Sequence, residues 1–348
     1  MFEAIDAQTI RYGLGAVKGV GRGACEAIAE ERARGGGFAD LLDFCRRVDS
    51  TKLNKRALEA LVNGGALDAL GRNRPSLMLQ LPEVLKATEQ LAREREAGQV
   101  SLFGGPGEAA PELRLELPEA EDWPLLQKLQ GERDTLGHYL SGHPLDPYRD
   151  ELRGLLGHDL GDLDRLWSER PEDGRRGWRQ EATVVIAGQV VGMRKRGDSQ
   201  AFVQLEDGRG RIEVAFFSDA WHECAQLLTR DRILVVEGGL REDEFSGGFS
   251  LRARRCWDFA QVCAQHAQRL SVKLDLRERD ALAQFARVLH GHHGSTPLLV
   301  EAITADAVGR LAINGGQGVR VDAALPGLLR SLPGVRMVRL ALAKPWAS

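Results

Sequence analysis

The segment Val17-Lys18-Gly19-Val20-Gly21-Arg22-Gly23-Ala24-Cys25-Glu26-Ala27-Ile28 constrains the fold most. Gly19 and Gly21 let the backbone turn tightly with no Cβ in the way. Leu14 and Val17 lie before the turn, and Ala24, Ala27 and Ile28 follow it at helical spacing. A helix that starts here leaves its first amides unpaired at its positive end. That is a phosphate seat built from backbone alone. The pattern is a helix-hairpin-helix, which grips a nucleic-acid backbone without reading its sequence. Its candidate contacts are Lys18, Gly19, Val20, Gly21, Arg22 and Gly23. An ordinary helix–turn–helix corner uses the same residue types, and Gly-x-Gly alone does not separate the two.

A second segment repeats the logic. Leu53, Ala57, Leu58 and Leu61 share one face of a predicted helix that ends at Gly64-Gly65, where another short helix is expected to begin. Two such units would pack as one helical domain. Lys52, Lys55, Arg56, Arg72 and Arg74 could add long-range attraction to phosphates, with Lys55 and Arg56 the foremost candidates. A solvated helix face carries the same residues.

A chain of 348 residues is long enough for about two to three domains, and 43% hydrophobic residues support packed cores. The net charge of −3 hides segregation. Residues 76–181 carry 13 basic and 22 acidic side chains, and residues 260–348 carry 11 and 6. A nucleic-acid binder often has a basic total, so binding here must come from local patches and helix ends. The five cysteines (Cys25, Cys45, Cys224, Cys256 and Cys263) form no C-x-x-C pair. They fit reduced, mostly buried thiols in a cytoplasmic protein. No apolar run approaches a membrane span, and no stretch of this sequence reads as a signal peptide. The start at Met1-Phe2-Glu3, almost on top of that hairpin, suggests a piece of something longer.

The spacing predicts an amphipathic helix over 76–97, with Leu77, Leu81, Val84, Leu85, Thr88 and Leu91 inward. Gln99-Val100-Ser101-Leu102-Phe103 follows, then Gly104-Gly105-Pro106-Gly107. An apolar peptide between a helix end and a Gly/Pro linker fits an anchor whose side chains fill a partner's pocket. It also fits a segment folded back onto the preceding helix. Residues 106–122 read as an acidic linker and Pro124–Tyr139 as a helix. Gly131–Leu145 ends in Ser-Gly-His-Pro-Leu, a helix stop and a sharp turn, and His138 and His143 read as structural.

Residues 182–259 alternate as strands. We expect strands over Ala182–Met193 (with Gly188 a possible bend), Ala201–Leu205, Ile212–Phe217, Arg232–Gly239 and Phe249–Phe259, with a helix over Ser218–Leu228. Five strands with a helix between the third and fourth is the OB-fold order. One face of that barrel and its first loop hold single strands by stacking and by a basic track. Arg194, Lys195 and Arg196, as a basic loop tip, and Arg252, Arg254 and Arg255 are the candidate phosphate contacts. Phe202 and Phe249 are candidate stackers and equally candidate core. Residues 269–348 read strand–helix–strand–strand–helix–strand.

The expected architecture is therefore multidomain α+β: a tandem helix-hairpin-helix domain over 1–97, an anchor peptide and linker over 98–123, a helical connector over 124–181, a five-stranded OB-fold barrel over 182–260 and a small α+β domain over 269–348. No reaction centre is visible. His290-Gly291-His292-His293 lacks a neighbouring carboxylate and reads as a helix end capped by histidine. Asp162 and Asp164 read as caps of a helix start. There is no P-loop, nucleophile elbow or H-E-x-x-H.

Three stretches resemble a known family: Ile10–Gly21, Gly131–Leu145, and Asp231–Gly238 with the later Phe245-Ser246-Gly247-Gly248. Their order is similar to that in the C-terminal part of the bacterial replicative DNA polymerase III alpha subunit, a family C polymerase. The resemblance implies that Gln99, Val100, Ser101, Leu102 and Phe103 bind the sliding clamp. It implies that the hairpins hold duplex DNA, that the OB-fold meets single-stranded template, and that the last domain binds the clamp-loader tau subunit. It implies no cofactor in this chain. The two magnesium ions of such polymerases belong to palm aspartates that no residue here matches, so no catalytic role is carried over. Two other readings remain open at this stage. One is a free-standing metal-dependent nuclease built on His290, His292 and His293 or Asp162 and Asp164. The other is an OB-fold tRNA-binding module.

Overall fold

A computed structural model of the chain describes residues 2–7, 9–70, 73–96, 118–169, 181–243, 247–313 and 317–347. The pentapeptide Gln99–Phe103, the linker through residue 117, Arg72, Phe245 and Ser246 lie outside the described residues. Two compact units emerge, residues 1–144 and 145–348.

The first unit opens with a small antiparallel pair, β1 (Glu3–Ala4) and β2 (Ile10–Arg11). Helices α1 (Arg22–Gly35), α2 (Leu41–Arg47), α3 (Lys55–Asn63), α4 (Arg74–Glu96) and α5 (Leu125–Leu136) follow. The Asp40 carboxylate caps α2 by accepting from the Asp43 amide, and the Asn54 side chain caps α3 by accepting from the Ala57 amide at 2.9 Å. Both satisfy amides that a helix start leaves orphaned. Ala24, Ala27 and Ile28 of α1, Phe44 of α2, Leu58 and Leu61 of α3, and Leu77, Leu81 and Val84 of α4 bury their side chains in one core.

Two expectations differ here. Behind Gly64-Gly65 stands a single 3-10 turn, Asp68–Leu70, rather than a helix. The helix expected to reach Tyr139 ends at Leu136, where the Gly137 amide turns back onto the Arg133 carbonyl.

A polar knot holds α5 in place. Arg74 and Glu132, both buried, pair at 2.9 Å, and Arg74 also reaches Asp68 at 2.8 Å. Glu132 accepts from the amides of Leu140 and Ser141 at 2.6 and 2.9 Å, and from the Ser141 hydroxyl. Burial pushes the Glu132 carboxyl up, but the Ser141 hydroxyl, the two amides and Arg74 outweigh it and hold it below the ordinary carboxylate range. This knot accounts for the turn-rich stretch from Gly131 to Leu145.

The second unit begins with α6 (Arg149–Leu156) and α7 (Leu163–Ser168). The turn that leads into α7 is held by a capping box between Asp159 and Asp162. Of the two aspartates expected to cap a helix start, Asp162 accepts from the Asp159 amide in the turn before α7, and neither Asp162 nor Asp164 makes a side-chain cap bond at the start of α7 itself.

The barrel consists of β3 (Ala182–Lys195), β4 (Gln200–Glu206), β5 (Arg211–Phe217), α8 (Ser218–Cys224), β6 (Ile233–Asp243) and β7 (Gly248–Asp258). It closes in the order β3-β4-β5-β7-β6, which is the OB-fold. Val203, Leu205, Val214, Phe216, Leu234, Val236 and Leu251 point inward and are almost fully buried, as period-2 alternation requires. The Asp207 carboxylate ties the β4–β5 turn together. It accepts from the amides of Arg209, Gly210 and Leu160, each at 2.8 Å.

The first barrel strand runs two residues further than expected, so Arg194 and Lys195 sit in the ladder opposite Phe202 and Ala201 instead of forming a loop tip. Its irregularity falls between Val190 and Gly192, not at Gly188, whose missing Cβ lets Leu205 and Glu206 approach closely. The predicted Ser218–Leu228 helix stops at Cys224.

The chain then forms α9 (Phe259–His266), β8 (Ala267–Asp275), α10 (Ala281–His290), β9 (His293–Gly294), β10 (Leu298–Ile303), β11 (Val308–Ile313), β12 (Gly318–Val319), α11 (Leu325–Arg330) and β13 (Val335–Leu342). A four-stranded sheet runs β11-β10-β8-β13, with β10 parallel to β8 and the other pairs antiparallel. Leu270, Val272 and Leu274 of β8 share a core with Phe259, Val262, Phe285, Leu325 and Leu329.

Candidate nucleic-acid interface

The first hairpin is built as its glycines suggest. Gly19 takes a φ of 92°, in the left-handed region that glycine occupies without strain. Three residues later α1 begins, and no side chain caps its start. Its first backbone bonds run from Ala24 and Cys25 to the Gly21 carbonyl, at 3.1 and 3.2 Å. The amides of Arg22 and Gly23 precede these and face outward, as the opening turn of a helix dictates. A Cβ added at Gly21 or Gly23 would meet nothing within 4 Å. The seat is open to solvent.

The predicted contact residues of the two hairpins divide. Lys18, Arg22, Lys55 and Arg56 are exposed. Arg22 pairs with Glu26 at 2.7 Å and Lys55 with Glu59 at 3.8 Å, both on the surface. Val20 is core, only 7% exposed, so its side chain is not available to a ligand. The Lys18 amide is spent on the Thr135 carbonyl at 2.8 Å, which anchors the hairpin to α5.

On the barrel, alternation puts Phe202 and Phe217 on the outer face, half-buried and edge to face at 5.9 Å. Arg194 lies over the Phe202 ring at 5.6 Å, and Arg252 over the Phe217 ring at 5.7 Å. Arg194 is steered by Glu213 at 2.7 Å. Two aromatic faces flanked by two guanidinium groups form a surface on which bases can stack beside a phosphate track. Phe217 escaped the sequence reading. The signal was present: buried Ile212, Val214 and Phe216 have one parity, which turns Phe217 outward.

The other predicted contacts are more dispersed. Lys195 lies over the Trp221 ring, and Arg196 is exposed. Arg254 bonds Thr183 at 3.2 Å and approaches Glu181 at 3.6 Å. Arg255 is bound to Glu237 and to the Trp346 carbonyl. Phe249 packs against the barrel core beside Trp167.

Among the described residues no group of His, Cys, Asp or Glu could hold a metal ion. His292 bonds the Val288 carbonyl at 2.9 Å and closes the end of α10. No helix of the described residues is long and apolar enough to cross a membrane. Of the five free cysteines, Cys45, Cys224 and Cys263 are buried. Burial pushes the Cys45 and Cys263 thiols up to about 12.

Two protein families match the chain: the helix-hairpin-helix motif over residues 2–77, and the OB-fold nucleic acid binding domain over residues 184–258. Fold and site thus define a protein built from nucleic-acid-binding modules. DNA polymerase III subunit alpha of Xylella fastidiosa (strain Temecula1) is 53% identical over 355 residues, covering 99% of this chain and 30% of its own length. The Pseudomonas aeruginosa PAO1 protein of that name is 38% identical over 93% of this chain and 28% of its own length, and the Escherichia coli K12 protein 37% identical over 97% and 29%. The chain belongs to the DNA polymerase III alpha-subunit family and spans about 30% of the length of these curated relatives. Among solved structures, asparaginyl-tRNA synthetase of Entamoeba histolytica matches 24% of this chain and 22% of its own at 22% identity, with a TM-score of 0.20, a likeness too slight to bear on fold or function.

Proposed function

We propose that this chain is the DNA- and sliding-clamp-binding C-terminal portion of a replicative DNA polymerase, and that it supplies grip and tethering rather than bond-making. The observation that carries this reading is the pair of nucleic-acid modules within a chain that matches DNA polymerase III alpha subunits along 99% of its length. In this reading the open hairpin seat at Gly19–Gly23 holds duplex backbone, with Lys18, Arg22, Lys55 and Arg56 adding positive charge on the same helical domain. The barrel face of Arg194, Phe202, Phe217 and Arg252 holds single-stranded template, with Lys195, Arg196 and Arg254 at its margin. Gln99, Val100, Ser101, Leu102 and Phe103 anchor the clamp, and residues 269–348 meet the tau subunit of the clamp loader. Chemistry at the primer end belongs to parts of such subunits that this chain does not span, and the compartment is the cytoplasm.

The clamp assignment is tested by Leu102→Ala with Phe103→Ala in a surface-plasmon assay against immobilised clamp. Paired apolar anchors carry most of such an interface, so binding should disappear. Retained affinity in the double variant would remove the clamp from this reading.

A further inference from the structure

The two hairpins have the same backbone plan and opposite chemistry. In each, a glycine of positive φ, Gly19 at 92° and Gly65 at 76°, stands three residues before a helical turn begins, at Arg22 and at Asp68. Around the first, the glycines that follow face open space. Around the second, a Cβ at Gly65 would collide with the Arg74 guanidinium and stand 3.0 Å from Asp68 Oδ2. Arg74 is 4% exposed and is held from behind by Glu132. Where the first hairpin begins its helix with an exposed arginine, the second begins with a carboxylate bound at 2.8 Å to a buried arginine of its own.

We infer that the two hairpins divide the work: the first alone contacts the duplex backbone, and the second is closed from within, its Asp68 carboxylate occupying the place an incoming phosphate would take. This rests on the reading of the hairpins as duplex-binding elements. The physical reason is charge. An anion approaching Gly65 meets a carboxylate already neutralising Arg74, and the other donors of that guanidinium are taken by Glu132, the Asn63 carbonyl and the Ser141 hydroxyl. An anion approaching Gly21 meets a helix start that no side chain caps, beside an arginine paired at the surface with Glu26. The second hairpin then serves as a brace. The Glu132–Arg74 pair fixes α5 to it, and α5 in turn holds the first hairpin through the Thr135 carbonyl.

The test places one negative charge on each hairpin where a side chain is tolerated. Gly21 has free space for a Cβ and an extended backbone, and Ala66 is exposed. Gly21→Glu and Ala66→Glu are compared with the parent chain by fluorescence anisotropy on a short labelled duplex across a salt series. We expect Gly21→Glu to weaken binding about tenfold and to flatten the salt dependence by about 0.9 for each phosphate that the hairpin ceases to neutralise. We expect Ala66→Glu to stay within about twofold, since the Asp68 carboxylate already closes that hairpin to an anion. Equal weakening in both variants would overturn the division of work while leaving the hairpins as the duplex site. No weakening in either, with the duplex still bound, would overturn the duplex-binding reading itself. Should Gly21→Glu melt early, Arg22→Glu, at a side chain 92% exposed, replaces it with the same expectation.

Discussion

Arg74 and Glu132 are 58 residues apart in sequence and form a buried pair with 4% and 0% side-chain exposure. Breaking such a pair by removing one partner costs about 3–5 kcal/mol, because the other charge stays buried and uncompensated. Glu132→Ala should therefore lower the stability of the helical unit by about that amount in urea unfolding. A drop under about 1 kcal/mol would mean that the pair is solvated in solution. Acid should act in the same direction. The Glu132 carboxyl titrates lower in the fold than in the unfolded chain. Its contribution is complete above the unfolded value of about 4.3 and disappears as pH falls through the lower folded value. In Glu132→Gln that part of the acid transition should vanish. On the barrel, Phe217→Ala should weaken single-strand binding by about 1–3 kcal/mol, the range for removing one stacking partner. An unchanged single-strand affinity would remove the outer face of β4 and β5 from the interface.

At the scale of elements, the sequence was most legible where a period repeats. Alternation placed all five barrel strands to within a few residues, and the order strand–helix–strand–strand–helix–strand after residue 269 matches the longer elements from β8 to β13. It was least legible where distant residues decide. Nothing local tells that Lys195 still has a ladder partner in Ala201, or that the segment after Gly65 is held as one short turn by an arginine from the next helix. The same limit applies to the site. The open seat at Gly19–Gly23 was readable because glycine spacing and helix start are local. The Phe202–Phe217 pair needed the register of two strands. The Asp207 turn belongs at this scale as well. Its carboxylate serves three amides, one of them that of Leu160, 47 residues earlier in the chain. Leaving the buried Leu160 donor without an acceptor costs about 1–3 kcal/mol, and the two turn amides lose their tie as well. Asp207→Ala should therefore lower the melting temperature well beyond an ordinary surface substitution, and a change within about 0.5 kcal/mol would contradict the role given to it.

Across the whole molecule the formal charge is −3, yet both candidate nucleic-acid surfaces are locally positive or built from helix amides. Affinity from such surfaces is electrostatic and sequence-independent, so it must fall as salt displaces it. The central claim is that this chain holds primed DNA through backbone contacts. Titration of a labelled primer–template by anisotropy, at several salt concentrations and with no other subunit present, tests it most directly. The account predicts that log Kd rises linearly with log salt concentration, with a slope of about 0.7–0.9 for each phosphate neutralised. An affinity for primed DNA that does not change with salt would contradict it.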